Sequence, residues 1–144
     1  MILQMKFLTL SKKEVRLEIL PSKYPVRSRT HSKSIGQYNL GRAIRSIYGM
    51  QALVLEEFPI PEERLFLDFY MPHNNLAFEF HGVQHDSFNK FFHGDKDGFE
   101  RSRGRDQRKR DWCVLNKILL IEVRDTLSTD ELKDLIQSNR EDDE

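Results

Sequence analysis

The sequence predicts an α/β fold, a mixed β-sheet flanked by helices with an N-terminal β-hairpin extension. Three observations predict it. Residues 5–19 and 65–81 hold short apolar stretches of strand character separated by turn residues. Ser34 and Ser128 each open a segment with helix-capping chemistry. A segment of helical length, about 100–116, lies between the second strand pair and a last strand with the apolar run ILLIEV.

In chain order, Val15, Leu17 and Ile19 alternate with Arg16, Glu18 and Leu20, and the run MKFLTL pairs with them across Ser11-Lys12-Lys13. Pro21 and Pro25 end that unit, and residues 22–33 read as a polar, basic loop. Ser34 caps a helix in which Leu40, Ile44 and Ile47 recur at helical spacing, with Gly49 as its stop signal. Gly36 and Gly41 each weaken this helix by ~1 kcal/mol relative to Ala. Residues 52–56 read as a short strand before the breaker Pro59-Ile60-Pro61. Residues 65–70 and 76–81 read as buried strands joined by the turn Pro72-His73-Asn74-Asn75. A turn centred between His73 and Asn74 sets Met71 against Leu76, Tyr70 against Ala77 and Asp68 against Glu79. Residues 82–98 read as loop, and 117–124 as the final strand. Ser128 and Glu131 form a capping box that opens a last helix reaching about Asn139. The chain accordingly divides into a hairpin and basic loop (1–33), a core (34–127) and a capping helix with acidic tail (128–144).

Length and composition narrow the function. A chain of 144 residues suits one domain with its own core, since domains run ~100–200 residues. Ten Phe and 38% hydrophobic residues exclude general disorder. No apolar run reaches the ~18 residues of a membrane span, and MILQMKFL lacks a signal-peptide cleavage site. A soluble, cytoplasmic protein without a membrane partner is expected. The single Cys113 excludes a disulfide scaffold and a multi-cysteine zinc module, and reads as a small buried hydrophobe beside a core Trp112. Net charge is zero but unevenly spread. Residues 125–144 hold eight acids and two bases, net −6, which leaves +6 on the rest. Arg101, Arg103, Arg105, Arg108, Lys109 and Arg110 crowd ten positions, and Lys23, Arg27, Arg29 and Lys33 form a second basic stretch. The pattern suggests a basic face for a polyanion, or else a solvated helix face.

The candidate chemistry lies in LFLDFYMPHNNLAFEFHGVQH. Like charges opposed on adjacent strands destabilise a hairpin, and buried carboxylates are costly unless paired or metal-bound. Asp68 and Glu79 therefore read as a site for a hard divalent cation such as Mg²⁺, or else as a pair with one member turned to solvent. His81 shares the strand face of Glu79, and Gln84 and His85 follow Gly82. Either imidazole suits proton transfer near neutral pH, and a hydrogen-bonded structural role is the alternative. Asp106 and Lys109 share a helix face, where they pair or bring an acid and a cation to the site.

These residues carry a family resemblance. Asp68, followed after ten residues by Glu79-Phe80-His81, resembles the D…(D/E)xK core of the PD-(D/E)XK nuclease superfamily, with His81 in place of the signature lysine. The string HGVQH after a strand with an upstream Asp68 resembles the very short patch repair endonucleases. The strings LDFYMP, NLAFEFHG and FNKFFHGDKDGFE are similar to small phage-encoded endonucleases. The resemblance spans about residues 34–124. It implies a restriction-endonuclease-like fold and an enzyme that hydrolyses DNA phosphodiesters with Mg²⁺, Mn²⁺ substituting, by nicking or double-strand cutting. Asp68 would be the metal carboxylate and the Phe80 carbonyl the metal's other ligand. His81 and His85 would be catalytic, with His85 the general base. Asp106 would be the later helical aspartate of the EDxHD branch, and Gln37 stands where that branch has an early-helix glutamate. Gln84 would be an accessory group. The basic helix, Arg101 to Arg110, would bind DNA phosphates. The expected location is the cytoplasm, that of a host cell if the chain is phage-encoded. A homodimer is compatible with this reading, as is a protein partner for the acidic tail. The sequence departs from the family in lacking the lysine, a cysteine-based zinc site and an aromatic wedge. The alternative reading is an inactive nuclease-fold protein that binds nucleic acid or a partner.

Overall fold

In the computed structural model, which describes residues 1–82 and 96–143, the N-terminal alternation produces an antiparallel hairpin. Strand β1 (Leu3–Leu8) pairs with β2 (Glu14–Ile19), Leu3 opposite Ile19 and Leu8 opposite Glu14. The alternation turns Phe7 and Ile19 inward, where both are buried. The Phe7 ring lies 5.2 Å from Trp112 and 6.2 Å from both Phe58 and Tyr70, so the hairpin shares the main core. Asn116 fastens it further: the Leu8 N–H donates to Asn116 Oδ1 (2.7 Å), and Asn116 Nδ2 donates to the Leu8 carbonyl (3.0 Å).

Helix α1 (Ile35–Tyr48) starts and stops where its sequence indicates. The Ser34 hydroxyl accepts from the Gln37 N–H at 3.1 Å. Gly49 ends it at φ +89°, a conformation that side chains disfavour. The following β3 (Leu55–Pro59), β4 (Phe66–Met71) and β5 (Leu76–Phe80) are antiparallel neighbours. Strand β6 (Leu119–Val123) lies parallel to β5, giving the order β3-β4-β5-β6. Helix α2 (Lys96–Leu115) lies in the connection that parallel pairing requires. Helix α3 (Thr129–Asp143) follows β6, opened by the expected capping box of Ser128 and Glu131.

The mixed sheet carries helices on both faces, as expected. One face packs Leu55, Phe58, Leu67, Tyr70 and Ala77 against Phe7, Ile19, Trp112 and Cys113. The other packs Phe69, Met71, Phe78 and Ile121 against Leu40 and Ile44 of α1 and Leu132 and Ile136 of α3. No helix among the described residues is long and apolar enough to cross a membrane.

Several boundaries differ from the sequence expectation. Strand β3 begins three residues late and runs through Phe58 and Pro59. It lies at the sheet edge, where a proline without an N–H breaks no ladder on its open side. Helix α2 starts at Lys96, four residues before the expected Glu100, and α3 runs through 143, four residues past Asn139.

Gly36 and Gly41 have a packing reason. A Cβ on Gly36 would stand 2.2 Å from ring carbons of Phe80, and one on Gly41 would stand 2.9 Å from the Phe69 ring. Helix α1 thus lies close against β4 and β5 because two side chains are missing. Gly36→Ala should lower the unfolding free energy by up to about 2 kcal/mol in a urea titration. Overpacking at ~1–3 kcal/mol outweighs the ~1 kcal/mol gained in helix propensity. A more stable variant would mean that the Phe80 ring moves aside freely.

Candidate active site

The β4–β5 ladder has the predicted register, Phe69 opposite Phe78, Tyr70 opposite Ala77 and Met71 opposite Leu76. Asp68 and Glu79 come next, and there side chains take over from main chain. The Asp68 N–H donates to Glu79 Oε2 at 2.6 Å, and the Phe80 N–H donates to Asp68 Oδ2 at 2.8 Å. Both carboxylates are only 3% exposed. Their other oxygens each meet an ammonium: Lys33 Nζ lies 3.2 Å from Asp68 Oδ1, and Lys109 Nζ lies 2.7 Å from Glu79 Oε1. The two lysines differ in freedom. The Lys109 side chain is 15% exposed, that of Lys33 57%.

Strand β3 adds two more acids. Glu57 has φ +54°, a strained value for a residue with a side chain, and no main-chain pair forms between Glu57 and Asp68. The kink ends the simple alternation, so that Leu55 and Phe58, three apart, share one core. It also sends the Glu57 carboxylate to within 3.7 Å of the Lys33 ammonium that Asp68 binds. The neighbouring Glu56 is buried and accepts the Arg27 main-chain N–H (2.7 Å) and Gln37 Nε2 (2.8 Å). Gln37 Nε2 also donates to Glu57 at 3.1 Å. Burial raises the Glu56 carboxyl, against the lowering effect of the Arg27 N–H and Gln37.

A second buried group stands alongside. Parallel pairing sets Glu122 of β6 beside Glu79. His81 Nε2 lies 2.9 Å from Glu122 Oε1, and Arg110 clamps the same carboxylate through Nη2 (2.7 Å) and Nε (2.9 Å). Burial pushes Glu122 up, yet the bonds from His81 and Arg110 outweigh it and hold it at about 2.

The structure therefore brings together Asp68, Glu79, Phe80 and His81 of the predicted residues. Gln37 stands beside them but binds carboxylates rather than replacing one. Asp106 is half-buried one turn before Arg110 and supports that guanidinium electrostatically. Gln84 and His85 lie outside the described residues. The basic helix divides. Arg101, Arg103 and Arg105 are exposed. Arg108, Lys109 and Arg110, expected at phosphates, lie instead against Glu63 (3.7 Å), Glu79 and Glu122. Sequence reasoning did not single out Glu56, Glu57 or Glu122, nor the pairing of Lys33 with Asp68. A charge inside the apolar run of β6 was a readable signal for Glu122, whereas the kink at Glu57 left none. Trp112 and Cys113 are core residues as expected, and burial with the charges of Glu79 and Glu122 pushes the Cys113 thiol to about 12, keeping it protonated.

No group of three or more His, Cys, Asp or Glu side chains arranged for a metal occurs among the described residues. Asp68 and Glu79 nevertheless form an oxygen-only pair of the kind a hard cation uses with water and substrate oxygens. Each carboxylate oxygen keeps a lone pair beyond the donor it already meets. The pair is balanced by two ammoniums; a divalent cation in place of the exposed Lys33 adds one positive charge, which the Glu57 carboxylate beside Lys33 offsets.

No family model and no solved structure matches the chain. It is 36% identical over 74 residues to "Uncharacterized protein 033L" of Invertebrate iridescent virus 3, an alignment covering 51% of this chain and 38% of that protein. It is 40% identical over 57 residues to "Uncharacterized protein 307L" of Invertebrate iridescent virus 6, covering 40% of this chain and 29% of that protein. The chain thus spans well under half the length of these curated relatives.

Glu79 and Glu122 should give stability opposite pH dependences. Burial and then the Asp68 charge raise the Glu79 carboxyl, despite Lys109. The folded state then holds a proton that the unfolded state releases, so this contribution falls as pH rises from the ordinary carboxylate range through the raised value. Glu122 stabilises above the ordinary range and loses that effect as pH falls toward about 2. Urea unfolding of wild type and Glu79→Gln across the acid-to-neutral range should show the steeper decline in wild type, the part due to Glu56 being common to both. Parallel profiles would mean that Glu79 titrates normally.

Proposed function

We propose that the chain is a divalent-metal-dependent DNA endonuclease with a restriction-endonuclease-like core. The observation that carries this reading is the convergence of buried Asp68 and Glu79 on adjacent strands beneath a basic helix. Its support includes the mixed sheet with helices on both faces, the class of fold that the sequence resemblance implies.

In this reading Asp68, Glu79 and the Phe80 carbonyl would hold Mg²⁺ or Mn²⁺. The bound metal would supply charge neutralisation at the phosphoryl oxygens. Lys109 stays against Glu79 and keeps that carboxylate oriented. His85 takes a proton from the water that attacks phosphorus in line. The new P–O bond forms as the bond to the leaving ribose oxygen breaks. His81, held by the Glu122 carboxylate that Arg110 clamps, presents a fixed ring at the strand end. The exposed Arg101, Arg103 and Arg105 position the backbone without reading bases.

A second reading has its own support. All four oxygens of Asp68 and Glu79 already meet donors, as in a nuclease-fold protein that binds nucleic acid without cutting it. Supercoiled plasmid separates the two. Nicking with Mg²⁺ or Mn²⁺ but not EDTA selects the enzyme, and a gel shift without cleavage selects the binder. Asp68→Asn should abolish nicking while retaining DNA affinity. Undiminished metal-dependent nicking by this variant would remove Asp68 from the site.

Lys33→Met tests the cation exchange directly. Mn²⁺ titrated by calorimetry should bind the variant about fivefold more tightly, since an ion pair worth ~1 kcal/mol no longer has to be displaced. Equal or weaker binding would show that Lys33 does not compete with the metal.

A further inference from the structure

The chain's positive charge does not all serve the carboxylates. At the C-terminal end of the basic helix, Glu63, Glu79 and Glu122 take up Arg108, Lys109 and Arg110. A second concentration lies where the loop after β2 runs along α1. There a cleft of about 860 Å³ is lined by Arg27, Arg42 and Arg45, with no acidic residue in its wall. None of these guanidiniums lies in an ion pair among the described residues. Arg42 sits 5.7 Å from the centroid of the Tyr38 ring and donates to its hydroxyl at 3.1 Å. Arg45 Nη1 donates to the carbonyls of Ala52 (2.6 Å) and Gly49 (3.2 Å), which fixes its guanidinium. Arg27 is exposed; its main-chain N–H donates to Glu56, and its charge also lowers that carboxyl without a side-chain hydrogen bond or ion pair among the described residues.

We propose that this cleft binds the phosphodiester backbone of a nucleic acid strand, as an extension of the candidate active site. The inference rests on the endonuclease reading for its choice of partner. Arginine suits phosphate because its planar fork donates two parallel bonds and keeps its charge. Three such groups spread over a loop and a helix suit a repeating anion. Tyr38 and the apolar lining residues Met50 and Val54 add the kind of surface on which bases rest. The cleft also adjoins the carboxylates through shared residues. Gln37 faces Glu56 and Glu57 while the next residue, Tyr38, lines the cleft, and Arg27 joins both. A strand across the site thus meets α2 on one side and the arginine cleft on the other.

The test uses the full chain in EDTA with a fluorescent DNA duplex, whose affinity is read by anisotropy over a series of KCl concentrations. R27Q/R42Q should reduce the magnitude of the slope of log K against log salt by about 1.8, at ~0.9 per phosphate contact. K12Q/R16Q, which neutralises two exposed charges on the N-terminal hairpin, should leave the slope unchanged. Arg42 contacts Tyr38, so thermal unfolding is followed in parallel. Arg27→Glu, which removes no side-chain hydrogen bond, should still lower affinity at low salt if the double variant is unstable. The proposal is overturned by a wild-type slope in R27Q/R42Q, by an equal fall in the hairpin variant, or by no duplex binding at all. Pyrophosphate binding that R27Q/R42Q removes, without any duplex binding, would identify a small-anion site and also overturn it. Plasmid nicking in Mg²⁺ is scored separately. Nicking with an unchanged slope sinks the cleft alone, and a reduced slope without nicking sinks the endonuclease alone.

Discussion

Two buried carboxylates that substitute for a rung of a β-ladder constrain the rest of this protein. Asp68 and Glu79 each accept an N–H from the opposite strand, where uncompensated like charges would otherwise separate β4 from β5. Such burial is tolerable only when the remaining lone pairs and charge are met. Lys33 and Lys109 meet them from two separate elements. Helix α1 must therefore begin just after residue 33, which the Ser34 cap secures, and α2 must present Lys109 to the sheet while Trp112 enters the core.

The same sheet face explains why His81 and Glu122 belong to the site. A parallel neighbour repeats the strand direction of β5, so Glu79 and Glu122 sit side by side. Arg110, adjacent to Lys109 on α2, reaches the second acid as Lys109 reaches the first. One helix thus neutralises two strands. Its basic character is partly structural, which the sequence pattern alone could not separate from a ligand-binding role. The kink at Glu57 completes the arrangement by adding a third carboxylate beside Lys33. Strained backbone of this kind persists where surrounding contacts over-determine it.

Much of the fold was legible along the chain. The hairpin register followed from turn chemistry at Pro72 to Asn75, where Asn75 takes up φ +50°. The bounds of α1 followed from Ser34 and Gly49, and the start of α3 from its capping box. These are local signals, in which neighbours in sequence satisfy one another's hydrogen bonds. The end of β3 was misread because proline acts as a breaker by default and is harmless at a sheet edge. Edge position is a property of the whole sheet.

The sequence by itself determined which residues could carry chemistry: Asp68 and Glu79 lie on paired strands, and His81 follows β5 directly, at a spacing that turn and period two convert into one face. Only the tertiary structure decided their partners. Lys33 comes from a loop and Lys109, Glu57 and Glu122 from three other elements, and nothing in sequence spacing ties positions 33 and 68 or 79 and 109 together. The physical reason is that buried charge is balanced by distance in space, through ion pairs and amides that the packing of helices on the sheet brings within about 3 Å. The division of the basic residues between carboxylates and open surface was decided at the same level.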